Sequence, residues 1–238
     1  MFDTIFYRPL YNTLVWLIDI SPNHDAGIAV VALTLIVSVL LYSISKKAIK
    51  TQLALKEIEP ELKQIKEEVK SKEEQARQTM ALYKKYKVNP FSMILLIIIQ
   101  FPILIALYYV FFKGLPIIHT DALYSFVKAP ESVDMVFLGI VDLSQKNIIL
   151  AVIAGITQFI QAAIVSSYTK KQITPEGHKK TMQEEFANSM QMQMKYFLPV
   201  VIGVIGATLP SALPLYWSVR NIFTSFQELI VRRKGLKN

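Results

Sequence analysis

The sequence predicts an all-α integral membrane protein with five transmembrane helices, an N-terminal interfacial amphipathic helix and a cytoplasmic antiparallel helical hairpin. Three observations carry the prediction. Hydrophobic residues make up 53% of the 238 positions, yet the chain also holds 26 Lys and Arg against 18 Asp and Glu. Apolar and basic residues are segregated into blocks, which argues for spans separated by charged loops rather than one core under a basic surface. Lys and Arg also fall unevenly between alternate loops, which sets an orientation.

In chain order, residues 1–20 carry Ile5, Phe6, Leu10, Leu14, Leu17 and Ile18 at three-to-four spacing, with Asp3, Arg8, Asn12 and Asp19 largely elsewhere. This is the pattern of a helix lying in the membrane interface, and a packed helix of the soluble type is the alternative. The stretch lacks a basic start and a small-residue cleavage site, so it is expected to stay in the mature protein. Ser21-Pro22-Asn23-His24 breaks it. Residues 26–45 follow without a charge, about 30 Å of helix at 1.5 Å per residue, and form the first expected span.

Residues 46–90 change character. Leu55, Ile58, Leu62, Ile65 and Val69 form an apolar stripe, and Ala76, Met80, Tyr83 and Lys87 continue it after a polar bend near Ser71. Two helices folded back on each other fit this pattern, with Pro60 starting the first. Residues 91–112 are the second span, interrupted by Gln100 and Pro102, a combination that implies a kink whose freed backbone groups need partners. Residues 113–147 are too polar to span. They are expected outside, with Phe137-Leu-Gly-Ile-Val-Asp-Leu-Ser144 partly dipping into the interface.

Residues 148–167 are the third span, with Gln158 and Gln161 on one face and suited to helix–helix hydrogen bonds. Residues 168–195 form a polar loop containing Met182, Met190, Met192 and Met194; methionine is adaptable, so these side chains suit varied apolar partners or simple packing on the membrane face. Residues 196–209 are a short fourth span, roughly 21 Å long, which a locally thinned bilayer accommodates. Residues 212–231 are the fifth, and residues 232–238 are a basic tail. The hairpin, the Met-rich loop and the tail hold twelve, five and four Lys or Arg, whereas the opposite side holds Arg8, Lys113, Lys128 and Lys146. The positive-inside rule therefore puts the N-terminus outside and the C-terminus in the cytoplasm.

Arg220 remains inside the fifth span. A guanidinium there costs roughly 2.5 to 3.5 kcal/mol on insertion scales, so it is expected to line a polar cavity and not face lipid. Trp217, three residues earlier, shares its helical face. Cysteine is absent and His24, His119 and His178 are far apart in sequence, so no disulfide, thiol chemistry, metal site or cofactor is expected. No nucleotide-binding loop, catalytic constellation or nucleic-acid motif is present, and the chain is not expected to be an enzyme.

The chain resembles the YidC-type membrane protein insertases, in the short form without a large periplasmic domain. The resemblance rests on Leu82-Tyr-Lys-Lys-Tyr-Lys-Val-Asn-Pro90, Gln100-Phe-Pro-Ile-Leu-Ile-Ala-Leu-Tyr108, Phe137-Leu-Gly-Ile-Val-Asp-Leu143 and Met194-Lys-Tyr-Phe-Leu-Pro199 leading to Leu215-Tyr-Trp217 and Asn221. It implies a bacterial cytoplasmic (inner) membrane protein with a hydrophilic intramembrane groove, open to cytoplasm and lipid, through which client transmembrane helices enter the bilayer. Gln100, Trp217 and Asn221 match groove positions. The chain departs from the family where Ser38 stands in place of a first-span arginine and Arg220 in place of a small polar residue. Met190, Met192, Met194, Arg232, Arg233 and Lys234 are expected to contact clients or a ribosome. Signal-recognition targeting factors and a Sec translocon are further partners that the sequence leaves open. A non-translocating assembly scaffold and a small-solute transporter or channel are the other two readings. The second lacks the paired half-helices such proteins show.

Overall fold

Polar residues set just outside apolar runs decide where the helices start and stop. The computed structural model describes residues 2–89, 91–113, 115, 117–167 and 192–235. In order these form α1 (Arg8–Ile20), entered through a π-type turn at Asp3–Tyr7, then α2 (Ala26–Leu40), α3 (Tyr42–Glu57), α4 (Glu59–Glu68), α5 (Lys72–Lys85) and α6 (Phe91–Lys113). A two-stranded antiparallel sheet follows, β1 (Val136–Phe137) with β2 (Val141–Asp142), in the register Val136 to Asp142 and Phe137 to Val141. The chain ends in α7 (Ile148–Ser167), α8 (Leu198–Thr208), entered through a π-type turn at Gln193–Phe197, and α9 (Ala212–Gly235). It divides into two compact units, Met1–Leu40 with Pro102–Phe226 and Leu41–Phe101 with Gln227–Asn238, so α6 and α9 each contribute to both.

In the first unit, Asp25 precedes α2 and its Oδ1 accepts from the backbone N–H groups of Gly27 at 2.7 Å and Ile28 at 3.0 Å, which satisfies two of the donors orphaned at a helix start. The α1 helix packs against α2 and buries Leu14, Leu17 and Ile18 together with Tyr11, Asn12 and Val15, whereas Ile5 is exposed. Asn12, expected on the polar face, is thus a correction to the stripe. Its amide donates to the carbonyls of Arg8 (2.8 Å) and Ala122 (3.0 Å), and its Oδ1 accepts from Tyr124 N at 2.6 Å, so the buried group is satisfied. α7 and α8 pack along their length. A Cβ at Gly155 would stand 3.1 Å from the Pro199 carbonyl oxygen, so the missing side chain is what lets the two backbones approach.

The second unit departs from expectation in three places. Helix was expected unbroken over 26–45, but α2 stops at Leu40 and α3 begins at Tyr42. Beside the break, Gln227 Nε2 donates to the Tyr42 carbonyl at 3.0 Å and Gln227 Oε1 accepts from Ser45 Oγ at 3.1 Å; a side chain inserted at the backbone ladder is an ordinary cause of a kink. In the charged region, α4 has Pro60 in its first turn, and Lys85 Nζ reaches Glu61 at 3.3 Å while Tyr86 OH donates to the same carboxylate. The end of α5 therefore lies against the start of α4, and the two run antiparallel. Their small core is Ile58, Leu82 and Val88, flanked by Leu55, Leu62, Ile65 and Tyr83. Met80, placed in the expected stripe, is instead 52% exposed. The core side chain of α5 is Leu82, with Tyr83 beside it, and past the helix end Lys87, at φ 52°, reverses the chain so that Val88 joins the same core. The third departure is at the C-terminal end, where α9 runs on through Gly235 and the expected tail begins as helix.

Among the described residues α7 is the one helix that is by itself long and apolar enough to cross a membrane. α2 and α3 pass only as a pair broken at Leu41, and Ile98–Phe112 and Lys195–Thr208 are shorter apolar helices.

Candidate functional site

A polar line runs through otherwise apolar helices of the first unit. Ser38, in the last turns of α2, is buried. Its hydroxyl proton is committed to the Thr34 carbonyl at 2.7 Å, which leaves its oxygen as an acceptor, and Arg220 Nη1 of α9 donates to it at 3.1 Å. Thr34 bonds back in the same way to Val30 at 2.6 Å, so α2 presents an ordered pair of hydroxyls. Arg220 is half-buried. The structure thus brings together the two positions at which this chain departs from the resemblance.

The other predicted residues are placed as follows. Trp217, one turn before Arg220 on α9, is half-buried. Asn221 is buried, and its Nδ2 donates to Thr157 Oγ1 of α7 at 3.4 Å. Thr157, not Gln158 or Gln161, carries this bond. Gln100 lies two residues before Pro102 in α6, is half-buried and belongs to the second unit. Met192 is exposed and Met194 falls in the π-type turn before α8; Met190 lies outside the described residues. The basic cluster is not uniform. Arg233 is exposed, Lys234 lies in the last turn of α9, but Arg232 is fully buried, ion-paired to Glu228 one turn earlier and bonded to Gln52 of α3. Its guanidinium is turned inward and is not part of an exposed contact face, a correction to the expectation for that residue. Glu228, two turns beyond Arg220 on α9, is engaged by Arg232.

Chemically, the set Ser38, Trp217, Arg220 and Asn221 offers one permanent cation, amide and indole donors and an aromatic face. None of the four is a base or an activated nucleophile. The arrangement is suited to hold polar or anionic groups transiently, not to make or break bonds. Sequence reasoning missed Thr157, Thr34 and Asp25. Only Asp25 had a local signal, an aspartate placed directly before an apolar helical run.

A mostly helical chain rich in apolar segments fits the class of all-α integral membrane proteins. The family model described as 60Kd inner membrane protein matches residues 17–238. The chain is 30% identical over 92% of its length to a membrane protein insertase YidC of Clostridium tetani, covering 86% of that relative, and 31% identical to the one of Oceanobacillus iheyensis, covering 98% of this chain and 84% of the relative. A longer insertase YidC of Wolinella succinogenes is 30% identical over 98% of this chain, which spans 38% of it. This chain belongs to the 60Kd inner membrane protein family, the YidC family of insertases.

Proposed function

We propose that this protein is an insertase that admits client transmembrane helices into the bacterial inner membrane through a polar cavity whose fixed charge is Arg220. The observation that carries the reading is the bond from Arg220 Nη1 to Ser38 Oγ at 3.1 Å. Moving a short polar tail through hydrocarbon costs several kcal/mol for each unsatisfied group. Hydroxyl and amide groups held in place at mid-depth lower that barrier, and a guanidinium at low local dielectric attracts an acidic tail more strongly than it would in water. Exposed apolar side chains on α7, among them Ile149, Val152, Ile156 and Ile160, suit a lipid-facing helix surface.

In this reading α2, α6, α7, α8 and α9 are the five spans, the N-terminus lies outside and the C-terminus in the cytoplasm, where the α4–α5 pair recruits clients or targeting factors. Trp217 lines the cavity in the first unit, and Met192 and Met194 there meet the client or ribosome as it arrives; in the second unit Gln100 offers the client a hydrogen-bonding amide, and Arg233 and Lys234 are further contacts. The test is reconstitution: the purified chain in liposomes should insert a single-span client bearing a short acidic tail, scored by protease protection of that tail. Protection no greater than in empty liposomes contradicts the proposal.

A further inference from the structure

The short β-hairpin between α6 and α7 has an apolar tip that is largely exposed among the described residues. Leu138 is 60% exposed and Ile140 80% exposed. The tip is built from two successive left-handed residues, Leu138 at φ 51° and Gly139 at φ 71°, closed by Ile140 N donating to the Phe137 carbonyl at 3.0 Å. Glycine, asparagine and aspartate occupy such positions at little cost, whereas leucine is strained there. A strained leucine with most of its surface exposed has little packing among the described residues to offset it.

The depth of this tip is fixed by the helices around it. Asp25, the residue that caps α2, accepts Leu138 N on its second oxygen, Oδ2, at 2.8 Å. Ala26 N donates to Asp134 O at 2.8 Å, and Asp134 N to His24 O at 3.1 Å. The Phe137 ring lies where a side chain on Gly27 would be, since a Cβ there would stand 2.2 Å from it. On the other strand, Ser211 Oγ, just before α9, donates to the Asp142 carbonyl at 2.9 Å, and Ala212 N donates to Leu143 O at 3.2 Å. α7 starts six residues after Asp142, with Asn147 Oδ1 accepting from Leu150 N at 3.0 Å. The starts of α2 and α9 are thus hydrogen-bonded to one hairpin, and α7 follows it closely in the chain.

We infer that Leu138 and Ile140 form a wedge that inserts into the interfacial layer of the lipid bilayer. The starts of α2, α7 and α9 mark the level at which apolar helix gives way to polar chain, and a hairpin bonded to the starts of α2 and α9 and followed within six residues by α7 sits at the headgroup and acyl boundary. Apolar side chains at that level partition into lipid, and this offsets the backbone strain at Leu138. The inference needs the chain to reside in a membrane but is independent of insertase activity.

The chain has no cysteine, so a single Ile140→Cys variant, labelled with an environment-sensitive fluorophore and reconstituted in phosphatidylcholine–phosphatidylglycerol vesicles, reports on the tip alone. Arg77→Cys on the charged α5 helix is the aqueous reference. Phospholipid nitroxides placed near the headgroup should quench the Ile140 label about twofold, and iodide should quench it about three times less than the Arg77 label. Equal iodide quenching at the two sites without lipid quenching would overturn the inference. So would shielding from both quenchers, which would mean that protein covers the tip.

Discussion

The two units of this chain are held by opposite means. In Met1–Leu40 with Pro102–Phe226, the buried polar residues Asp25, Asn12 and Ser38 are single and placed at a helix start or mid-helix, each with named partners: Asp25 on three backbone N–H groups, Asn12 on three backbone groups, Ser38 between Thr34 and Arg220. In Leu41–Phe101 with Gln227–Asn238, the surface is charged, the apolar core of α4 and α5 is three residues, and a buried ion pair, Arg232 with Glu228, sits between Gln52 and the rest of α9. The first unit thus satisfies its buried polar groups singly, mostly on backbone, whereas the α4–α5 region of the second relies on a small core and paired charges. The first arrangement is sensitive to losing a bond, the second to losing a partner.

The largest effect is expected in the buried pair. Arg232→Ala strands the Glu228 carboxylate and should cost about 3 kcal/mol of local stability, because an unpartnered buried charge is the expensive state. Arg232→Met together with Glu228→Gln removes both charges and should cost far less. Hydrogen exchange of the amides in α3 and the end of α9 reads both, and equal losses in the two variants would show that the pair is not energetically coupled. Next comes the small core. Ile58→Ala should lose about 2 kcal/mol and Met80→Ala under about 0.5 kcal/mol, read by the same exchange experiment in α4 and α5. In the first unit, Asp25→Ala removes a helix cap and should cost about 1 kcal/mol, seen as faster exchange at Gly27, Ile28 and Leu138.

The smallest effect concerns pH. The bond from Tyr86, assisted by Lys85, holds the exposed Glu61 carboxyl below its ordinary value of 4.5. A depressed carboxyl contributes stability that is present above that value and lost as pH falls through the lower folded one. The α4–α5 contact should therefore be unchanged from neutrality down to the ordinary carboxylate range and loosen only in stronger acid. A Glu61 carboxyl titrating by NMR at the same pH in wild type and in Tyr86→Phe would contradict this.

The sequence makes elements legible where one physical signal acts alone. Twenty uncharged residues define α7, and its bounds coincide with theirs. Pro60 and Ser71 mark the starts of α4 and α5. The break at Leu41 has no Gly or Pro to announce it; it coincides with Gln227, a residue 186 positions away. Arg232 reads as an exposed anchor because it sits in a basic cluster; that reading passed over its i−4 neighbour Glu228, and Gln52, 180 positions away, leaves no local signal. For the site, helix rise alone sets Ser38 and Arg220 at similar depth in two apolar segments, but the hydrogen bond from Asn221 to Thr157 joins residues 64 positions apart and leaves no local trace.

The central claim is that Arg220 supplies, from the last apolar helix, the intramembrane charge for which α2 carries only Ser38. The most direct test measures insertion of paired clients, identical except for an acidic or a neutral tail, into liposomes holding wild type, Arg220→Ala, or Arg220→Ala with Ser38→Arg. Arg220→Ala should lower insertion of the acidic-tailed client about tenfold, equivalent to ~1.4 kcal/mol, with little change for the neutral one, and Ser38→Arg should restore much of the loss. Unchanged insertion of both clients by Arg220→Ala would contradict it and leave Arg220 as a residue that packs α9 against α2.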